Sequence, residues 1–309
     1  MAFELKLIGK SDLSKTFSNN SNRYLNDIAL ESSGTEERIW TLCNSRRSPI
    51  VVLNGNLEIV DLPIMPAIDT KKMPQSIAVT EGHVLVGYSG YRAATGSSGG
   101  RFISVHSCAT GILEAKIAEG FAANKIICAD KGTYFYAANP TNHKSQLYYL
   151  DSLDKNCEPQ ILGKQCTCFD IAFSNGLIYA LRTITSSSGK YANEVYKVDG
   201  DSVSSISLNK ELQVSPQAVF KPCIGVDSNG RILITNSEPE TIKGRKMFAL
   251  YIFSPDGEFI DNVRLGFSVP DAFLVDSQSR ILIAREYPYR RKETVIQRYE
   301  TRRYALETG

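Results

Sequence analysis

One spacing constrains this chain more than any other feature. A short apolar run, a tight polar turn and a second apolar run recur six times in 309 residues. Aligned on the first run, the copies are Ile28-Ala29-Leu30, Ile77-Ala78-Val79, Ile127-Cys128-Ala129, Ile171-Ala172-Phe173, Ile224-Gly225-Val226 and Phe273-Leu274-Val275. Their starts lie 49, 50, 44, 53 and 49 residues apart. Each is followed by a turn such as Glu81-Gly82, Ser174-Asn175-Gly176 or Asp227-Ser228-Asn229-Gly230. Glycine and Asn/Asp supply the positive φ that tight hairpins need. Second runs follow, for example Val84-Leu85-Val86-Gly87-Tyr88 and Ile281-Leu282-Ile283-Ala284. Then come a longer loop, a third strand such as Gln146-Leu147-Tyr148-Tyr149-Leu150, and a weaker fourth.

Four short strands per unit near a period of 50, with almost no helical periodicity, predict an all-β fold, a six-bladed β-propeller with four-stranded blades. The first two strands of each unit are apolar on both faces, as strands sandwiched between neighbouring blades must be. The sixth unit lacks a fourth strand, and the N-terminus has a spare one at Phe3–Ile8. Pairing them would close the ring and remove an open sheet edge, so the fold is expected to complete itself as a monomer. The expectation is a single domain over residues 1–309, with the polar stretch from Gly9 to Arg23 leading into the first blade.

The best-formed copies also carry a family resemblance. Pro222-Cys223-Ile224-Gly225-Val226-Asp227-Ser228-Asn229-Gly230-Arg231-Ile232-Leu233-Ile234-Thr235-Asn236 resembles the NHL repeat, as do Tyr251-Ile252-Phe253-Ser254-Pro255-Asp256-Gly257-Glu258 and Val269-Pro270-Asp271-Ala272-Phe273-Leu274-Val275-Asp276. Units one to four keep only the apolar skeleton. The resemblance implies a propeller, and some NHL propellers bind RNA through a basic face. A fold of this kind hosts binding modules and enzymes alike.

Composition narrows the partners. The formal net charge is +2, so the whole molecule is no polycation, and an anionic partner must be met by local charge. The loops between second and third strands are expected to share one face of a propeller. By that assignment they carry fourteen Lys/Arg against five Glu. Arg92, Arg182, Lys190, Lys243, Arg245, Arg285 and Arg290 are the expected contacts, with Tyr91 and Tyr287 beside them. Interleaved Arg and Tyr can hold phosphates and carboxylates and stack on rings. The expected partner is therefore an anionic protein surface, a nucleic acid or a small carboxylate or phosphate ligand. The interruption of the fifth unit, from Asn236 to Lys246, reads as one such charged loop.

A second set stands at the start of each first strand: Asn26 and Asp27, Gln75, Asn124 and Lys125, Asp170, and Asp271. These would ring the mouth of the central channel. Asp27, Asp170 and Asp271 are the candidate catalytic acids for the alternative reading, a hydrolase, lactonase or lyase with a channel-mouth pocket. They could also contribute to a Ca²⁺ site, which wants six to eight oxygens, or cap backbone N–H groups. The gluconolactonase and senescence-marker family, which this blade count resembles more weakly, implies an asparagine and an aspartate as metal ligands where this chain has Phe169 and Arg182. No cofactor and no metal ligand set is assigned. His83, His106 and His143 fall at different places in the repeat, Cys166-x-Cys168 reads as core packing, and Gly96-Ser97-Ser98-Gly99-Gly100 reads as a loop. Seven irregularly spaced cysteines suit free thiols in a reducing cytoplasm better than a disulfide framework. Neither a signal peptide nor an apolar run of bilayer length is visible.

Overall fold

The computed structural model of the chain describes residues 2–13, 25–33, 36–43, 49–60, 66, 68, 74–80, 82–89, 100–138, 145–163, 167–185, 191–200, 202–210, 212, 222–242, 245–267, 269–287 and 293–304. Among them every regular element is a strand, and no helix is long and apolar enough to cross a membrane. The strands form six four-stranded antiparallel sheets, the blades of a β-propeller. The N-terminal strand is β1 (Ala2–Asp12). Blade one is β2 (Leu25–Ser33), β3 (Glu36–Cys43), β4 (Ile50–Asn54) and β5 (Ile59–Val60). Blade two is β6 (Pro74–Thr80), β7 (His83–Ser89), β8 (Arg101–Ser107) and β9 (Leu113–Ile117). Blade three is β10 (Ala122–Ala129), β11 (Gly132–Ala138), β12 (Ser145–Leu150) and β13 (Gln160–Leu162). Blade four is β14 (Thr167–Ser174), β15 (Leu177–Thr185), β16 (Tyr191–Asp199) and β17 (Ser202–Ser207). Blade five is β18 (Cys223–Val226), β19 (Ile232–Ile242), β20 (Arg245–Phe253) and β21 (Phe259–Gly266). Blade six is β22 (Val269–Val275), β23 (Ile281–Tyr287) and β24 (Glu293–Tyr304), completed by β1.

The N-terminal strand thus does what the spare apolar run predicts. It pairs with β24 from Ala2 opposite Tyr304 to Asp12 opposite Val295, longer than the Phe3–Ile8 core of the expectation. Register also corrects the alignment of the third unit. Ile126, not Ile127, sits opposite Phe135 in the place that Ile28 and Ile77 hold in their blades. The cause is a bulge. In β2, β6, β10 and β22 the pairing skips one residue near the start, leaving Asn26, Gln75, Asn124 and Asp271 as the extra residue. A bulge bends a strand and re-aims its side chains. In these four strands the polar set is therefore one of bulges and their neighbours. The interruption of blade five is a second correction. Residues 236–246 are not one loop: Thr241 pairs with Lys246 and Ile242 with Arg245, extending the β19–β20 hairpin.

By contacts the chain divides into two compact units, residues 15–171 and residues 1–14 with 172–309. In the first, Trp40, Leu42, Val52, Ile77, Val84, Val86, Tyr88 and Phe102 form one buried cluster. Leu85, Ile103, Phe135 and Tyr148 anchor another, in which Phe135 and Tyr148 stack with ring centroids 5.3 Å apart. In the second unit, Leu233, Phe248, Leu250, Ile252, Phe273, Ile281, Ile283 and Tyr299 are packed together, with Phe3 and Leu5 of β1 against them. Gly225 belongs to this packing. A Cβ there would lie 2.5 Å from both the Phe273 ring and a Val275 methyl, closer than real contacts allow. Gly225→Ala should therefore destabilise the protein by about 1–3 kcal/mol through overpacking, read as a lower urea midpoint with the slope unchanged; an unshifted midpoint would show that blades five and six have slack.

Candidate functional site

The residues at the strand starts of the first unit build a buried polar clamp. Asp27 follows the bulge in β2 and is only 2% exposed. Its Oδ1 accepts the N–H of Ile28 at 2.8 Å, and its Oδ2 accepts the N–H of Ile77, one blade on, at 3.0 Å. Lys125, at the same register in β10, donates its ammonium to Asp27 Oδ1. Ser76, the matching residue of β6, donates to the carbonyl of Ala123 at 2.9 Å. Asn26 donates to the carbonyl of Pro74. Burial pushes the Asp27 carboxyl above the ordinary range, against the pull of Lys125 and the two backbone N–H groups. One register position in three successive blades thus cross-links those blades. At Asp27 the cation is the chain's own ammonium, so this carboxylate is already paired within the fold.

The second unit places a different set where the buried runs of the second strands end. Ile178–Arg182, Ile232–Asn236 and Ile281–Arg285 are each buried along all five residues. Each ends in a polar side chain: Arg182 is 6% exposed, Asn236 7% and Arg285 4%. Pairing fixes the equivalence in two of them. Asn236 lies two residues beyond Ile234, the partner of Ile224, and Arg285 two beyond Ile283, the partner of Phe273.

Arg182 faces Glu194 directly across the β15–β16 ladder, and its Nη2 lies 3.3 Å from Glu194 Oε2. The guanidinium carbon sits 4.0 Å from the centroid of Tyr196, a cation–π stack that holds the plane in place. Its Nε and Nη1 are buried and have no hydrogen-bond partner among the described residues. Asn236 uses its Oδ1 to accept the N–H of Ser237 at 2.8 Å, and its Nδ2 likewise has no partner among the described residues. Arg285 donates Nη1 to the carbonyl of Leu265 at 2.7 Å and lies 5.6 Å from the Tyr299 ring. Burial pushes the phenol of Tyr179 upward, and burial together with the charge of Glu238 does the same for Tyr251. Both therefore stay neutral hydroxyls near pH 7.

These positions revise the expectation of a basic loop face. Arg182 and Arg285 are not loop residues on a solvated rim. They are buried in β15 and β23, and Glu194 is the cross-strand partner of Arg182. Arg245 opens β20 opposite Ile242, and Tyr287 ends β23 opposite Glu293. Tyr91, Arg92, Lys190, Lys243 and Arg290 lie outside the described residues. Of the three candidate acids, Asp27 is clamped by Lys125, Asp170 is buried in β14, and Asp271 is the half-buried bulge residue of β22. Among the described residues no group of three or more His, Cys, Asp or Glu side chains is arranged to hold a metal ion. Sequence reading missed Asn236 as a site residue. Carrying the alignment of second strands on to Arg182, Asn236 and Arg285 would have found it.

No protein-family model matches the chain, and no curated protein matches it. Solved structures do. An α-L-arabinanase of Penicillium chrysogenum, in complex with arabinobiose, is similar at a TM-score of 0.62, 11% identical over 96% of this chain and 98% of its own. A gluconolactonase of Xanthomonas campestris is similar at a TM-score of 0.55, 14% identical over 90% of this chain and 86% of its own. A PQQ-bound aldose sugar dehydrogenase of Streptomyces coelicolor is similar at 0.54, 9% identical over 97% and 98%. At such identities the likeness is one of fold.

Proposed function

We propose that this propeller binds a small carboxylate through Arg182, which closes the buried run of the second strand of blade four. One observation carries the reading: the Arg182 guanidinium is buried, immobilised by Tyr196 and Glu194, and leaves two donors unclaimed among the described residues. A buried polar group without a partner costs about 1–3 kcal/mol, more when charged, so a ligand that supplies acceptors is strongly favoured there. Burial argues against a bulky polyanion, because a nucleic acid or an acidic protein face reaches only exposed cations. Glu194 argues against a dianionic phosphate, which would meet a like charge beside Nη2. A singly charged carboxylate, planar and able to accept from an N–H edge, suits the place best.

An enzyme that holds its substrate by the same carboxylate is the second form of this reading. The neighbours on this fold are enzymes by name, and Asp271 is the candidate acid that shares a unit with Arg182. Titration of short carboxylates, inorganic phosphate and heparin by calorimetry tests the proposal. Binding of a carboxylate that weakens about tenfold or more in Arg182→Met is expected, the scale of losing one hydrogen-bonded charge pair. Lysine at the same place should restore only part of it, since an ammonium is a point charge without the guanidinium's edge. Binding of heparin alone, with a steep salt response, would replace this reading with a polyanion one.

A further inference from the structure

We infer that Asn236 reads a neutral acceptor oxygen at a distance from the anion, so that the ligand is a carboxylate bearing a hydroxyl or carbonyl several bonds away. This rests on the carboxylate reading of Arg182. The orientation of the Asn236 amide is fixed by chemistry. The Ser237 N–H can only donate, so the atom that it meets at 2.8 Å is the amide oxygen. The Nδ2 group is thereby turned away from that backbone. It is buried in a residue only 7% exposed and has no partner among the described residues. An amide N–H₂ carries no charge. It contributes little to holding an anion and much to choosing among ligands, because a site with a buried donor rejects an analogue that leaves the donor unmet.

Asn236 closes the buried run of the second strand of blade five, as Arg182 closes that of blade four. Packed sheets are about 10 Å apart, whereas the two oxygens of one carboxylate are separated by only a bond angle. Donors from two neighbouring sheets therefore serve two different groups of one ligand. Arg182 takes the charged end, and Asn236 takes an oxygen further along. Arg285, at the same place in blade six and bonded to the Leu265 carbonyl, extends the polar row beyond Asn236.

The test compares acetate through hexanoate with their ω-hydroxy counterparts on the full chain, by calorimetry, in the parent, Arg182→Met, Asn236→Leu and Asn236→Asp. In the parent, at least one ω-hydroxy acid should bind about tenfold or more tighter than its alkyl partner, the discrimination given by an otherwise unpaired buried donor. The preferred chain length then reports the span between the two groups. Asn236→Leu should abolish that preference while leaving the alkyl acid bound as before. Asn236→Asp, which cannot donate and adds a like charge, should weaken both. Arg182→Met should weaken both equally and leave the ratio between them unchanged. A parent with no preference at any length, or an Asn236→Leu that weakens both acids alike, overturns the inference while the Arg182 result upholds the carboxylate site. Failure of every acid to bind overturns both. The parent comparison needs no variant, so a misfolded Asn236→Leu does not shield the inference.

Discussion

Lys125→Met should destabilise the protein by about 3–5 kcal/mol at pH 7, the cost of breaking a buried ion pair from one side. Methionine keeps the length and most of the volume of the side chain, so the loss is electrostatic. It strands a carboxylate that is 2% exposed and that relied on the ammonium as well as on the N–H groups of Ile28 and Ile77. The effect should also depend on pH in a definite direction. Burial already raises the Asp27 carboxyl above its ordinary value, and Lys125 is the strongest influence pulling it down. Without Lys125 it rises further. A carboxyl whose folded pKa exceeds its unfolded one binds its proton more readily when folded, so falling pH favours the folded state. The penalty should be full above the folded value and fade as pH falls through it toward the ordinary 3.8. Asp27→Asn combined with Lys125→Met removes both charges and keeps an acceptor for one of the two N–H groups, and should recover part of the loss. Urea midpoints of the four proteins in a double-mutant cycle measure the coupling. A Lys125→Met that costs under about 1 kcal/mol would mean that the clamp is no tighter than a surface pair.

The difference between what was legible in the sequence and what was not follows the reach of each interaction. The six-bladed fold could be read because it rests on local pattern: an apolar run, a turn with Gly or Asn, another apolar run, repeated at a near-constant interval. The closing strand could be read because an unpaired edge is costly and Phe3 and Leu5 needed a core to pack against. The third unit was misaligned by one residue because Ile126 and Ile127 are both apolar, and only pairing shows which of them stands opposite Phe135. The charged residues were misjudged for a related reason. Arg182 and Arg285 follow apolar runs directly, and counting them as loop residues took charge as a sign of exposure. Their strands continue past them because Glu194 and the carbonyl of Leu265 meet the guanidinium groups on the way in. Partners far away in sequence are invisible to a period. Lys125 and Asp27 are 98 residues apart, and nothing local marks either as half of a pair.

The β18–β19 and β22–β23 turns carry the other large expected effect, and they should differ from each other. Asp227→Ala should destabilise the protein by about 3–5 kcal/mol, as for a buried pair broken from one side. Its carboxylate is the hub of the β18–β19 turn. Oδ1 accepts from the N–H groups of Asn229 and Arg231 at 2.9 Å each, and Oδ2 receives Nε and Nη2 of Arg231 at 2.5 Å each. Asp276 repeats the pattern in the β22–β23 turn, with the N–H groups of Gln278 and Arg280 at 2.9 and 2.8 Å and Arg280 Nε at 2.6 Å. The burial differs: the Arg231 side chain is 9% exposed and that of Arg280 is 23%. Arg231 also lies 5.0 Å from the ring of Phe3, and the N–H of Phe3 donates to Asp261 at 2.9 Å. The first turn thus helps to seat the closing strand, while at the second, water can rehydrate the stranded guanidinium. Asp276→Ala should accordingly cost about 1–3 kcal/mol, the range for turn N–H groups losing an acceptor. Asparagine at 227 keeps an acceptor for the turn but not the charge, and should fall between the two. Chemical denaturation of the three variants orders them. A cost for Asp276→Ala equal to or above that of Asp227→Ala would show that turn geometry, and not the buried guanidinium beside β1, is what the aspartate supports.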